Sequence, residues 1–88
     1  MPSNIKQWEK VKRTDFDLLI QNLRSKGFSP PYSDSGTLRS GARHGLHADV
    51  DFNEKEQALT VRIREAGRGE TYASVFSMLE TTIKATNR

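Results

Sequence analysis

Cysteine is absent from this 88-residue chain. That excludes a disulfide scaffold, thiolate zinc ligation and a cysteine nucleophile, and it fits a reducing compartment. Long apolar runs are missing too. None approaches the roughly 18 residues needed to cross a bilayer, and the opening MPSNIKQWEKVKR has no apolar stretch of a secretory signal. The expectation is a cytoplasmic protein with no membrane partner. Strong charge of one sign is also lacking: 14 Lys and Arg stand against 11 Asp and Glu, for a formal net charge of +3. Such a balance describes an ordinary solvated surface, leaves nucleic-acid backbone open as a partner, and speaks against a mimic of DNA. Finally, a chain of this length is short of core. It makes one domain that buries roughly 60–65% of its unfolded surface, so sites should be shallow and no cofactor is expected.

What is present is clear periodicity. Phe16, Leu19, Ile20 and Leu23 recur at helical spacing over 14–26. Thr14 and Asp17 match a capping box at its start, and Gly27 followed by Phe28 suits a left-handed cap at its end. Before it, Ile5, Trp8 and Val11 at three-residue spacing predict one or two turns of a further short helix within residues 1–13, a segment that could be loosely attached. Residues 29–36, SPPYSDSG, read as a loop. Residues 37–43 read as a weak first strand in which Gly41 marks a bulge, bend or edge.

Leu46, Ala48, Val50 and Phe52 alternate with His47, Asp49 and Asp51, and Leu59, Val61 and Ile63 alternate with Thr60, Arg62 and Arg64. These are two half-buried strands joined by the polar turn 53–57 as an antiparallel hairpin. Two registers fit, one placing Asp49 and the other His47 opposite Arg62. After AGRG, Thr71 can cap a last helix whose buried stripe is Tyr72, Val75, Phe76, Leu79 and Ile83. The expected fold is one α+β domain spanning 1–88: a two-layer sandwich, helix, three-stranded antiparallel sheet, helix, with both helices on one face.

Three groupings bear on chemistry. His47, Asp49 and Asp51 share the polar face of a strand, with His44 just before it. Imidazole and carboxylate suit a divalent metal, but same-face strand residues lie roughly 7 Å apart, so three of them do not share one ion unaided. No metal is expected there. Gly67-Arg68-Gly69 precedes a helix start where free amides can cradle phosphate, yet Glu70 brings opposing charge and a lone GxG is weak. The third grouping is the open sheet face itself, with Arg39, Arg43, His47, Arg62 and Arg64 among Asp49 and Asp51.

The element order resembles double-stranded RNA-binding domains, which grip phosphate with a Lys-rich start to the final helix; this chain has Gly69-Glu70-Thr71-Tyr72-Ala73-Ser74 there. The order is also similar to the small HicA-type toxins. Leu23-Arg24-Ser25-Lys26-Gly27-Phe28 looks like their helix ending in Gly-Phe, and Gly45-Leu46-His47 looks like their Gly-Ser-His, with leucine in place of serine. That resemblance implies an mRNA-cleaving enzyme with His47 as its catalytic histidine. The residues themselves favour another reading: a small non-enzymatic binding or regulatory module. It would meet a protein partner or a nucleic-acid backbone through Arg39, Arg43, His47, Arg62 and Arg64. An edge left open by a three-stranded sheet also makes homodimerisation through the first or third strand a candidate.

Overall fold

The computed structural model describes residues 3–40, 45–67 and 69–86, without the side chains of 85 and 86. Six elements follow one another: β1 (Ile5–Trp8), α1 (Arg13–Ser25), β2 (Ser35–Arg39), β3 (His47–Asn53), β4 (Ala58–Glu65) and α2 (Tyr72–Thr86). The strands form one antiparallel sheet in the order β1-β4-β3-β2. The class is therefore α+β, but the sheet has four strands where three were expected.

The extra strand comes from the segment read as a short helix. Four residues cannot nucleate a helix alone, whereas the edge of β4 offers ready backbone partners. Ile5, Lys6, Gln7 and Trp8 accordingly face Arg62, Val61, Thr60 and Leu59. Residues three apart on a strand lie on opposite faces. Trp8 thus turns into the core while Ile5 stays 49% exposed on the other side. Trp8 meets Phe76 of α2 edge-on, with ring centroids 6.1 Å apart. Val11 is buried as well.

Helix α1 also begins earlier than expected. Its N-cap is Lys12, and the Asp15 carboxylate accepts the Lys12 backbone N–H at 3.1 Å. Lysine offers no side-chain acceptor, so this is half a capping box, and Thr14 sits exposed inside the first turn. The far end matches expectation. Gly27 has φ +93°, its N–H bonds to the Arg24 carbonyl, and the Phe28 N–H bonds to the Leu23 carbonyl. That pair of bonds is a Schellman motif, and a side chain at Gly27 would be strained.

Strand β2 spans Ser35–Arg39 rather than 37–43; Gly41, Arg43 and His44 lie outside the described residues. The preceding loop folds back along β2, where Ser29 and Arg39 exchange backbone bonds of 2.6 and 3.1 Å. Pro31 presses so closely on Gly36 that a Cβ there would lie 2.6 Å from the Pro31 Cβ. The hairpin takes the register with Asp49 opposite Arg62. Thr71 caps α2 as expected: its hydroxyl accepts the Ser74 N–H while the Ser74 hydroxyl accepts the Thr71 N–H, both at 3.0 Å.

One core joins these elements. Phe16, Leu19 and Leu23 of α1 and Val75, Phe76, Leu79 and Ile83 of α2 pack with Leu38, Ala48, Val50, Phe52, Leu59, Val61 and Ile63, all from the same face of the sheet. Phe16 stacks on Phe52 at 4.5 Å, so α1 covers β3, as Trp8 and Phe76 tie β1 to α2. Both helices thus lie on one face.

Candidate functional site

The strand alternation that buries one face must present the other. Leu38, Ala48, Val50, Val61 and Ile63 point inward, so Arg39, His47, Asp49, Arg62 and Arg64 share the outer face. Four of the five basic or histidine positions expected there are brought together; Arg43 lies outside the described residues. Across the strands run two rows, Ile5-Arg62-Asp49-Thr37 and Gln7-Thr60-Asp51-Ser35.

Charges on this face are partly spent on each other. The Arg64 Nε donates to Asp49 Oδ2 at 2.8 Å, and the Ser35 hydroxyl donates to Asp51 Oδ1 at 2.6 Å. Among the described residues no ion pair reaches Arg39, His47 or Arg62. Nor does any group of histidine and acidic side chains among them come close enough to hold a metal ion. His47 has no side-chain hydrogen bond among them that would orient its imidazole for proton transfer.

The start of α2 is occupied by its own neighbours. Ser74 exchanges bonds with Thr71, and its hydroxyl donates to the Glu70 carboxylate at 2.5 Å. Before it, Gly67 and Gly69 have φ of +100° and +77° and the Glu70 N–H donates to the Gly67 carbonyl at 3.2 Å, as a tight turn requires; Arg68 lies outside the described residues.

Two of the hollows that escaped the sequence reading are lined in part by loop residues. One, of about 280 Å³, runs between α1 and the loop before β2, with Ile20, Arg24, Tyr32 and Asp34 on its walls. Tyr32 is 95% exposed and its ring carries the Arg24 guanidinium at 5.2 Å. The other, of about 120 Å³, is mainly apolar and lies among Phe28, Leu46, Ala66, Val75 and Met78.

Beside the first hollow sits a further unforeseen residue, Arg13. It bonds both oxygens of Asp34 at 2.7 Å, also bonds the Glu54 carboxylate, and lies 5.2 Å from the centre of the Phe52 ring. Those bonds raise the Arg13 pKa and hold the Asp34 carboxyl below its ordinary value. Its partners are 21 and 41 residues away, so no local pattern announced it. It staples the loop and the β3–β4 turn to the start of α1.

No helix among the described residues is long and apolar enough to cross a membrane. Compared with protein-family models, with curated proteins and with solved structures, the chain matches none.

Proposed function

We propose that this chain is a non-enzymatic binding module that recognises a protein partner through the outer face of its sheet. One observation carries the reading: both helices cover the same face, so four strands present an uncovered surface that mixes free arginines with carboxylates and hydroxyls. Alternating charge of this kind favours a protein of complementary pattern over a polyanion, which Asp49 and Asp51 would repel. A homodimer through a sheet edge is not part of the proposal: Arg39 on β2 and Ile5 on β1 spend their edge-facing backbone groups within the chain.

The test is capture from the native host by wild-type protein and two variants. Arg62→Glu reverses a free charge on the face; Lys55→Glu reverses one in the β3–β4 turn. The expected result is a partner that Arg62→Glu loses and Lys55→Glu keeps. Capture unaffected by Arg62→Glu would remove the outer face from consideration. Retention on RNA or DNA at low salt that falls linearly with the logarithm of salt concentration would replace the protein partner with nucleic acid. The HicA-like reading calls for His47 to act as a general acid or base. It leaves that imidazole without an orienting partner, and RNA incubated with the pure protein is expected to stay intact.

A further inference from the structure

Arg39 and His47 face each other across β2 and β3. Both backbone bonding groups of Arg39 are turned away from β3, because its N–H and C=O exchange bonds with Ser29. The Arg39–His47 pair is therefore of the non-hydrogen-bonded kind, in which the Cα atoms approach to about 4.5 Å and the side chains stand closer together than in the alternate pairs. Leu38 and Ala48 beside them are fully buried, which fixes both side chains on the outer face. Arg39 is exposed and His47 half-buried.

Two groups that donate hydrogen bonds thus stand side by side, and no carboxylate among the described residues serves either of them. The nearest candidates are otherwise placed. Asp49 is held by Arg64 at 2.8 Å. Glu65 stands opposite His47 on β4 but makes no ion pair with it. An arginine fork and an imidazole N–H on neighbouring strands of one solvent-facing surface can together donate to an oxyanion.

We infer that Arg39 and His47 form a carboxylate-binding pair, the anchor for an acidic side chain of the partner; this rests on the protein-recognition reading above. The neighbouring charges select a carboxylate rather than a phosphodiester chain. Asp49 lies two residues along β3 on the same face, roughly 7 Å away, with Asp51 one further step beyond. A phosphate backbone laid along the strands would run into both. A single carboxylate ends at the pair and meets neither, with Glu65 opposite His47 as the acidic neighbour it must pass beside.

The experiment uses the intact pure chain at neutral pH and constant ionic strength, with sodium acetate replacing chloride and the side-chain resonances followed by NMR. The expected result is a saturable shift of the His47 ring and Arg39 Nε–H signals in the millimolar range. Arg39→Gln should weaken it by about fivefold or more, with the melting temperature unchanged. A His47 ring that does not respond, or an Arg39→Gln variant that titrates like the wild type, would overturn the inference. Short oligothymidylate that displaces acetate from the pair would overturn it as well, by assigning the site to phosphodiester. No partner protein is needed for any of these measurements. Acetate binding can therefore fail while Arg62→Glu still abolishes capture, and the reverse can hold.

Discussion

The two edges of the sheet, β1 and β2, are closed in different ways. At β2 the chain itself does the work: Ser29 pairs with Arg39, and the Ser33 hydroxyl donates to the Ser35 carbonyl at 2.5 Å. By antiparallel alternation, Arg39, Thr37 and Ser35 are the residues whose backbone faces that edge, and Thr37 has no partner there among the described residues. At β1 a side chain serves instead. The Asn4 carbonyl accepts the Ile63 N–H, which sets the alternation and turns Ile5 and Gln7 outward. The Ser3 hydroxyl accepts the Ile5 N–H at 3.2 Å and donates to its carbonyl at 3.0 Å. Lys6 adds a charge pointing to the helix side of the edge strand, 3.8 Å from Glu80, a known deterrent to strand pairing. One edge is thus guarded by a folded-back loop and the other by two short side-chain devices. Each edge is only four or five residues long, and each is closed in part by bonds from within the chain.

The largest test of this contrast is to detach one edge. Trp8→Ala should cost about 3–5 kcal/mol, because the ring is the chief tie between β1 and α2. Urea denaturation followed by circular dichroism measures it, and a loss under about 1 kcal/mol would mean β1 docks without its tryptophan. Next in size is removal of the hydroxyl guards. Ser3→Ala and Ser33→Ala should each cost about 0.5–1.5 kcal/mol, and the double variant should self-associate with rising concentration in sedimentation velocity. Since Ser33 is backed by the Ser29–Arg39 bridge and Ser3 by no such bridge, Ser3→Ala should account for most of the association. Equal contributions would erase the contrast between the edges.

Lys10, just after β1, has φ +60°, a left-handed conformation that disfavours side chains. Lys10→Gly should therefore raise stability by up to about 1 kcal/mol; a loss in the same urea titration would point to a contact of the lysine side chain. The smallest effect concerns acid. The Asp34 carboxyl is held below its ordinary value mainly by the Arg13 hydrogen bonds. A depressed carboxylate stabilises the fold above its unfolded pKa, and that contribution fades as pH falls through the lower folded value, below about pH 4. Solvent screens this exposed pair, so the change is small and local. The protection factor of the Phe52 amide, which donates to the Asp34 carbonyl, should fall in wild-type protein at low pH, and should be lower at every pH in Asp34→Asn. The Ile5 amide, on the other edge, should not respond to either change.

Much of the framework was legible beforehand, for reasons that lie in particular residues. Val50, Phe52, Val61 and Ile63 declare their face by strict alternation, and this also placed Arg39, His47, Arg62 and Arg64 together on the opposite side. Gly27 and Thr71 announced helix ends through local chemistry that needs no distant partner. Ile5, Trp8 and Val11 misled because apolar residues three apart suit a helix, while on a strand they fall on opposite faces. Which of them is core depends on β4, more than fifty positions away. Arg13, Ser3 and Tyr32 were silent for the same reason: their roles are set by what the folded chain brings to them.

Trp8 has an optical consequence. It is the sole tryptophan of the chain. Its Nε1 is buried without a hydrogen-bond partner among the described residues, and the Lys6 ammonium sits 5.6 Å from the ring centre. An indole excited in such a place finds neither water dipoles nor an acceptor to relax against, so it emits toward the blue. When β1 lifts from α2, the same ring enters water and its emission moves to the red, while a ligand on the outer sheet face leaves it untouched. The protein therefore carries one native chromophore whose colour reports the docking of a single strand.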